Sequence, residues 1–304
     1  MRRGAPSVHA GGEPAANFGP LYKVAGPDRR DHLEMRTAPS QIVPRILALG
    51  GHDFTSRPAD RAVCELMLRL ASTRAGGRPR ICILPTASSD TSEQIGRFYA
   101  AFGERPCDPS DLSLFRLGSR PMELRDHLLE QDLIYVGGGS LLNLLAVWEA
   151  HELEAILSLA WRQGIVLAGQ SAGAMCWFEA GITKSSGKAL PGAGLGLLGG
   201  SLCVHYNNEP ERRAAYLDAV GAGMPGGYGL DDYAGLLWEG AGPPAALTAQ
   251  RGARAYRVAA GEDGVVESPL PARLLPAPAP AALREDIAEF RRITAMRKKA
   301  GWLG

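Results

Sequence analysis

The chain has 304 residues, of which 45% are hydrophobic, and its formal net charge is +1. A chain of this length and composition can bury a substantial core and suits one large α/β domain with tails. The balanced charge gives no electrostatic support for binding to nucleic acid or to an anionic membrane. The five cysteines are scattered without a Cys-x-x-Cys pair, which argues against a disulfide framework or a zinc site. Without an apolar run of about 18 residues or a secretory signal, we expect a cytoplasmic protein.

The composition divides the chain into three parts. Residues 1–40 are rich in Gly, Pro, Ala and charge, and we predict that they form a disordered extension. Residues 41–268 carry the apolar patterning of one folded domain. Residues 269–304 are predicted to be a Pro/Ala-rich linker followed by a charged helix over 282–302.

Apolar strands alternate with helices in the first part of the domain. Strands are predicted at 46–51, 80–88, 111–117, 132–139 and 165–170, and helices at 58–75, 91–103, 121–130, 141–150 and 153–164. Because each strand is apolar throughout, the pattern indicates an α/β fold with a mostly parallel sheet covered on both faces. Shorter strands follow, and we interpret them as hairpins that extend the same domain. They are predicted at 202–206, 226–232, 235–240, 246–250 and 253–258.

Ligand sites on such sheets lie beyond the carboxyl ends of the parallel strands. In this sequence those ends carry Gly50-Gly51, Thr86-Ala87, Gly137–Gly139 and Gly169–Ser171. These segments are therefore expected to meet at one edge of the sheet and to form the candidate site.

One of these segments carries a recognisable motif. Residues 169–173 read Gly-Gln-Ser-Ala-Gly, a Gly-x-Ser-x-Gly motif between an apolar strand and a helix. A nucleophile elbow has this context, and its tight turn requires small residues beside the serine. The turn exposes the Ser171 hydroxyl above the sheet and places the Ala172 N–H where it can stabilise an oxyanion. The alternative interpretation is a small-residue turn that only allows strand and helix to pack.

A serine nucleophile needs a base, and His205 is the candidate among the six histidines. His205 lies in a short apolar strand that is followed by a polar run. A histidine in such a strand is more often structural than catalytic, so the residues alone leave its role open.

Longer stretches of the sequence are similar to one known family. They are GQSAGAMCWFEAG, LGLLGGSLCVHYNNEPERR and YGLDDYAGLLWEG, preceded by ILALGG, RICILPTAS and QDLIYVGGG. Through these motifs, from about residue 45 to about residue 260, the chain resembles the bacterial serine peptidases that include aspartyl dipeptidase (dipeptidase E) and, more distantly, cyanophycinase. The resemblance implies a three-layer αβα sandwich with a nucleophile elbow, similar to class I glutamine amidotransferases with serine in place of their cysteine.

The resemblance also implies roles for individual residues. Ser171 matches the nucleophile and His205 the general base. The oxyanion N–H groups would come from Ala172 and from the loop of Gly138 and Gly139. No metal ligand and no cofactor are implied, and no His/Asp/Glu cluster has metal spacing.

Two positions depart from the family's pattern. The family carries its triad acid in the stretch after Trp-Phe-Glu, and Lys184 occupies that place here. A lysine cannot orient and stabilise an imidazolium as a carboxylate does. The family's Gly-Gly-Asn-Thr loop reads Gly-Gly-Ser-Leu over 138–141. As the replacement acid we predict Asp231, with neighbouring Asp232 and Glu179 as alternatives.

The leading hypothesis is a serine peptidase that cleaves short peptides through an acyl-enzyme. By resemblance the substrates include Asp-X, which calls for a cation such as Lys184, Arg212 or Arg213, although surface charge is the favoured interpretation of all three. The expected partner is a small peptide, with neither nucleic acid nor membrane, and a homo-oligomer is left open. A catalytically impaired binding protein is the alternative, because of Lys184. A third, weaker alternative is a glutamine-amidotransferase-like domain, although nothing here resembles an ammonia-accepting synthetase.

Overall fold

The computed structural model describes residues 42–52, 54, 57–119 and 122–276. Strands β1 to β14 are, in order, Arg45–Leu49, Arg80–Leu84, Asp108–Asp111, Leu133–Val136, Val166–Gln170, Phe178–Thr183, Leu190–Ala193, Leu198–Val204, Gly227–Leu230, Ala234–Glu239, Ala245–Thr248, Ala255–Gly261, Gly264–Pro269 and Ala272–Leu274. Helices α1 to α7 are Pro58–Ser72, Ser92–Phe102, Leu124–Leu129, Leu141–Ala150, Leu153–Arg162, Ala172–Met175 and Pro210–Gly221. Short 3₁₀ helices cover Thr86–Ser88 and Leu114–Arg116.

The first sheet has eight strands in the order β14-β11-β10-β1-β5-β4-β2-β3. Strands β1, β5, β4, β2 and β3 pair in parallel, and β10 joins β1 antiparallel. Successive side chains of β1 enter two different apolar clusters, Ile46 with α4 and α5, and Leu47 with α1 and α2. Helices therefore cover both faces of this sheet, which confirms the predicted α/β fold and explains why the inner strands β1, β2, β4 and β5 are largely apolar.

A second sheet, which the sequence did not predict, has six strands in the order β13-β12-β9-β8-β6-β7. Helix α7 packs on it through Tyr216 and Val220, which join Cys203 and Val258 in a separate apolar cluster. The short strands predicted after residue 190 are thus divided between the two sheets. Strands β8 and β9 belong to the second sheet, and each ends just before a residue of the candidate site.

Three segments differ from their predictions. The strand predicted at 111–117 lies earlier, at Asp108–Asp111, where its Asp-Pro-Ser-Asp sequence gives little apolar signal because it is the edge strand of the sheet. Helix α7 was missed, although Pro at its first turn is typical of a helix start. Strand β14 pairs with β11 and lies inside the segment predicted as a linker. The extension 1–40 and the helix 282–302 lie outside the described residues. Within the described ranges, no helix has the length and hydropathy needed to cross a bilayer.

Candidate active site

Ser171 lies in a strained turn between β5 and α6. Its backbone φ is 52° and its ψ is −118°, a conformation that a residue with a side chain rarely adopts. The Ser171 N–H donates to the Leu49 carbonyl at 3.1 Å, and the Ser171 carbonyl accepts from the Ala174 N–H at 3.0 Å. A side chain at Gly173 would overlap the backbone carbonyl of Val136. These contacts hold the turn and explain why the motif requires a glycine two residues after the serine.

The hydroxyl of Ser171 contacts the predicted base. His205 follows β8, and its Nε2 lies 2.9 Å from Ser171 Oγ. On the other side of the ring, His205 Nδ1 lies 2.6 Å from Asp232 Oδ1. Serine hydroxyl, imidazole and carboxylate thus form one continuous chain of hydrogen bonds, in the arrangement that lets a histidine take a proton from serine.

The carboxylate in this chain belongs to Asp232, which corrects the choice of Asp231. Asp231 is 5% exposed, and its Oδ2 accepts the Arg254 N–H at 2.9 Å. Asp231 pairs with the Arg254 backbone, whereas Asp232 lies in the turn that follows, where its carboxylate reaches His205. Burial raises the pKa of Asp231, and no contact to His205 offsets that cost.

Asp232 is held by the loop that follows His205. The Asp232 N–H donates to Asn207 Oδ1 at 3.0 Å, and the Asn208 side-chain amide donates to Asp232 Oδ2. Burial raises the pKa of Asp232, but the hydrogen bond and charge of His205, with the Asn208 contact, outweigh burial and lower it. The carboxyl group therefore stays ionised beside the imidazole. Neither asparagine was predicted from the sequence, although they lie only two and three residues after the histidine.

Lys184, the residue in the place of the family's acid, contacts two glutamates instead of the histidine. Its Nζ lies 3.0 Å from Glu209 Oε2 and 2.6 Å from Glu211 Oε1. The hydrogen bond to Glu211, followed by that to Glu209, raises the pKa of Lys184. Glu179, which the sequence analysis gave as an alternative acid, accepts the Gly200 N–H at 2.8 Å. Its carboxylate is thus also bound to a different partner.

The predicted oxyanion groups lie next to the serine. A Cβ placed on Gly138 would lie 3.3 Å from Ser171 Cβ, so the 137–140 loop passes directly beside the nucleophile. Within the described residues, no backbone hydrogen-bond acceptor is found for the N–H groups of Gly138, Gly139 or Ala172. Helix α6 has only four residues, so its dipole adds little, and any stabilisation depends on these N–H groups themselves.

Gly51 is a further member of the site. A Cβ at this position would overlap Asp232 Oδ1 and would lie 2.8 Å from His205 Nδ1. The glycine therefore makes room for the pair of acid and base. The sequence signal for it was the glycine pair at the end of β1, on the same edge as Ser171. Among the described residues, the active site included, no group of three His, Cys, Asp or Glu side chains could hold a metal ion.

A serine at a nucleophile elbow, hydrogen-bonded to a histidine that is hydrogen-bonded to a carboxylate, is the arrangement found in serine hydrolases. Comparisons with known proteins give the family. The family model for peptidase family S51 matches residues 46–242. The chain therefore belongs to peptidase family S51 and is a serine peptidase, as the sequence resemblance predicted.

Two similar proteins extend this finding. The chain is 41% identical over 232 residues to the uncharacterized peptidase YgaJ of Bacillus subtilis (strain 168), an alignment that covers 76% of this chain and 99% of that protein. It is also similar to the crystal structure of a peptidase from an acI-B1 Actinobacterium, with a TM-score of 0.55 and 18% identity over 76% of this chain and 95% of that chain. The structural likeness supports the fold alone.

Proposed function

We propose that this peptidase hydrolyses short peptides through an acyl-enzyme on Ser171. His205 Nε2 takes the proton from Ser171 Oγ while that oxygen attacks the peptide carbonyl. Asp232 keeps the proton of the imidazole on Nδ1 and stabilises the imidazolium that forms. The N–H groups of Ala172 and Gly139 stabilise the oxyanion. His205 then gives its proton to the leaving amine, and a water molecule activated by the same histidine releases the acyl group.

The observation that carries this proposal is the hydrogen-bond chain from Ser171 to Asp232. Lys184 at the family's acid position was the main reason to consider an impaired binding protein. Because Asp232 contacts His205 as its acid, that reason no longer holds. The acid follows the histidine in the chain instead of preceding it. Triads with the same geometry occur in several chain orders, so this order is no obstacle to catalysis.

Preference for Asp-X substrates is a finer proposal with weaker support. The three cations considered for a substrate carboxylate are all paired with glutamates. Besides Lys184, Arg212 Nε lies 3.3 Å from Glu209, and Arg213 Nη2 lies 2.8 Å from Glu267. A cation that already has a carboxylate partner attracts a second one less strongly. We therefore propose cleavage of short peptides with Asp-X as one candidate among them.

The test is a panel of dipeptides and tripeptides that covers every N-terminal residue, with Asp-X included, analysed by mass spectrometry of the products. Wild-type protein is compared with Ser171→Ala, which removes the nucleophile with little change in volume. Cleavage by the wild type that is lost in Ser171→Ala supports the proposal, and the cleaved peptides give the specificity. Equal cleavage by both proteins would contradict it.

A further inference from the structure

The oxyanion loop needs a fixed orientation to work. A peptide bond between two glycines has little steric restraint, so the unit joining Gly138 and Gly139 could rotate and present its carbonyl to the site. A carbonyl oxygen facing a developing oxyanion would destabilise it, whereas an N–H stabilises it. Some other group must therefore hold this peptide unit in one orientation.

Among the described residues, backbone hydrogen bonds anchor this loop at its two ends. The Gly137 N–H donates to the Leu84 carbonyl at 3.1 Å, and the Ser140 N–H donates to the Ala87 carbonyl at 2.8 Å. Gly139 has φ of 147°, which requires glycine, and a side chain there would overlap Ala87. These anchors fix the position of the loop but leave the central peptide unit to a side chain.

That side chain is Gln94, on the first turn of α2. Its Nε2 donates to the Gly138 carbonyl at 3.3 Å, and its Oε1 lies 3.0 Å from the Ser88 hydroxyl. The Ser88 hydroxyl also lies 2.8 Å from the Pro85 carbonyl, so it joins the amide to the loop after β2. A Cβ on Gly137 would overlap Gln94 Oε1, so the amide packs directly on the glycine loop.

The planar peptide unit between Gly138 and Gly139 couples the direction of its C=O group to that of its N–H group. In a planar trans unit the C=O and the following N–H point in opposite directions. A donor that holds the Gly138 carbonyl on the side of Gln94 therefore directs the Gly139 N–H to the opposite side. A Cβ on Gly138 would lie 3.3 Å from Ser171 Cβ, so this peptide unit lies beside the serine.

We propose that Gln94 is a positioning residue of the oxyanion hole, which acts through the Gly138 carbonyl to orient the Gly139 N–H. This inference rests on the proposed acyl-enzyme function. It assigns a role to a residue outside the triad and outside the Gly-x-Ser-x-Gly motif. Loss of the Gln94 amide should slow the chemical step while leaving the Ser171–His205 pair intact.

The test replaces the amide with a group of similar length that cannot donate. Gln94→Met is the first variant, and Gln94→Glu is the second in case methionine disturbs folding. Gln131→Met is the matched control, because Gln131 Nε2 also donates to a backbone carbonyl, that of His127 at 2.8 Å, away from the site. The probes are p-nitrophenyl acetate as acyl donor and phenylboronic acid, whose tetrahedral adduct with serine places an oxygen in the oxyanion hole.

We expect kcat for Gln94→Met to fall by about 10- to 100-fold, less than the roughly 10²- to 10³-fold for removal of an oxyanion donor, because the N–H is only disoriented. KM and the pH midpoint of kcat should stay unchanged, and phenylboronic acid should bind more weakly by a factor similar to the loss of kcat/KM. Gln131→Met should behave as wild type.

Three results would overturn the proposal. Wild-type kcat and boronate affinity in folded Gln94 variants would show that the amide does not position the N–H. A shifted pH midpoint together with the loss of kcat would show a general distortion of the Ser171–His205 pair. Wild-type protein that neither turns over the ester nor reacts at Ser171 would refute the acyl-enzyme function itself, and the inference with it. An active wild type separates the first two results from the third.

Discussion

Replacing Asp231 and Asp232 one at a time with asparagine should show which of the two aspartates acts as the triad acid. In Asp232→Asn the amide can donate to His205 Nδ1, which leaves the imidazole proton on Nε2, facing Ser171. The ring then cannot accept the serine proton. Loss of a triad acid in this way lowers kcat by about 10⁴-fold, which is roughly 5.5 kcal/mol of transition-state stabilisation at about 1.36 kcal/mol per tenfold.

The structure sets the size of the expected effect in this protein. The side chains of His205 and Asp232 are 25% and 24% exposed, so water can partly replace the lost carboxylate. We therefore expect a loss of about 10³- to 10⁴-fold in kcat for Asp232→Asn, with KM changed little. Asp231→Asn is the matched control, because asparagine can still accept the Arg254 N–H through its amide oxygen. It should retain kcat within about threefold.

The assay is steady-state hydrolysis of p-nitrophenyl acetate and of the best peptide from the panel, with folding of each variant checked by thermal unfolding. A large loss in Asp231→Asn with near-normal activity in Asp232→Asn would refute the assignment of the acid. Equal activity of both variants with wild type would show that the contact at 2.6 Å between His205 and Asp232 has no catalytic role.

Three further predictions concern the same site. Gly51→Ala should lower kcat by about 100-fold, because the new methyl group must displace Asp232 and His205, and a misplacement of about 1 Å has an effect of that size. Steady-state kinetics on the folded variant measures the loss, and a normal kcat would contradict this prediction. Lys184→Ala should keep kcat within about threefold of wild type, because the lysine contacts Glu209 and Glu211 and not His205. A large loss of kcat in the same assay would show that the lysine acts in catalysis. The pKa of Asp232 lies below its ordinary value of 3.8, so its ionised form stabilises the fold above that pH and the contribution disappears as the pH falls through the folded pKa. The difference in Tm between wild type and Asp232→Asn should therefore shrink as the pH is lowered below 3.8, and a constant difference would contradict the assigned shift.

The sequence predicted the parallel strands well because burial on both faces makes each of them an apolar run. β1 and β5 are examples, and their carboxyl ends lead to Gly51 and Ser171 as expected. Strand β3 was misplaced because an edge strand with the sequence Asp-Pro-Ser-Asp carries no such run. The second sheet was missed because short strands with mixed polarity do not reveal which strands they pair with.

The site could be predicted up to its third member. Ser171 and His205 lie in extended motifs, so a resemblance over much of the chain identified both. The acid required a choice between Asp231 and Asp232, and that choice depends on which way each side chain points after β9. A sequence pattern does not contain this orientation. Gln94 was not identifiable from the sequence, because its partner is a backbone carbonyl 44 residues away.

The most direct test of the proposed triad is active-site labelling with a fluorophosphonate, followed by intact-mass measurement and peptide mapping. We expect one adduct per chain on the peptide that carries Ser171. Labelling should be absent in Ser171→Ala and strongly slowed in His205→Ala and Asp232→Asn, and should proceed at the wild-type rate in Asp231→Asn. An unlabelled but folded wild type, or an adduct on another residue, would contradict the claim that Ser171, His205 and Asp232 form the catalytic triad.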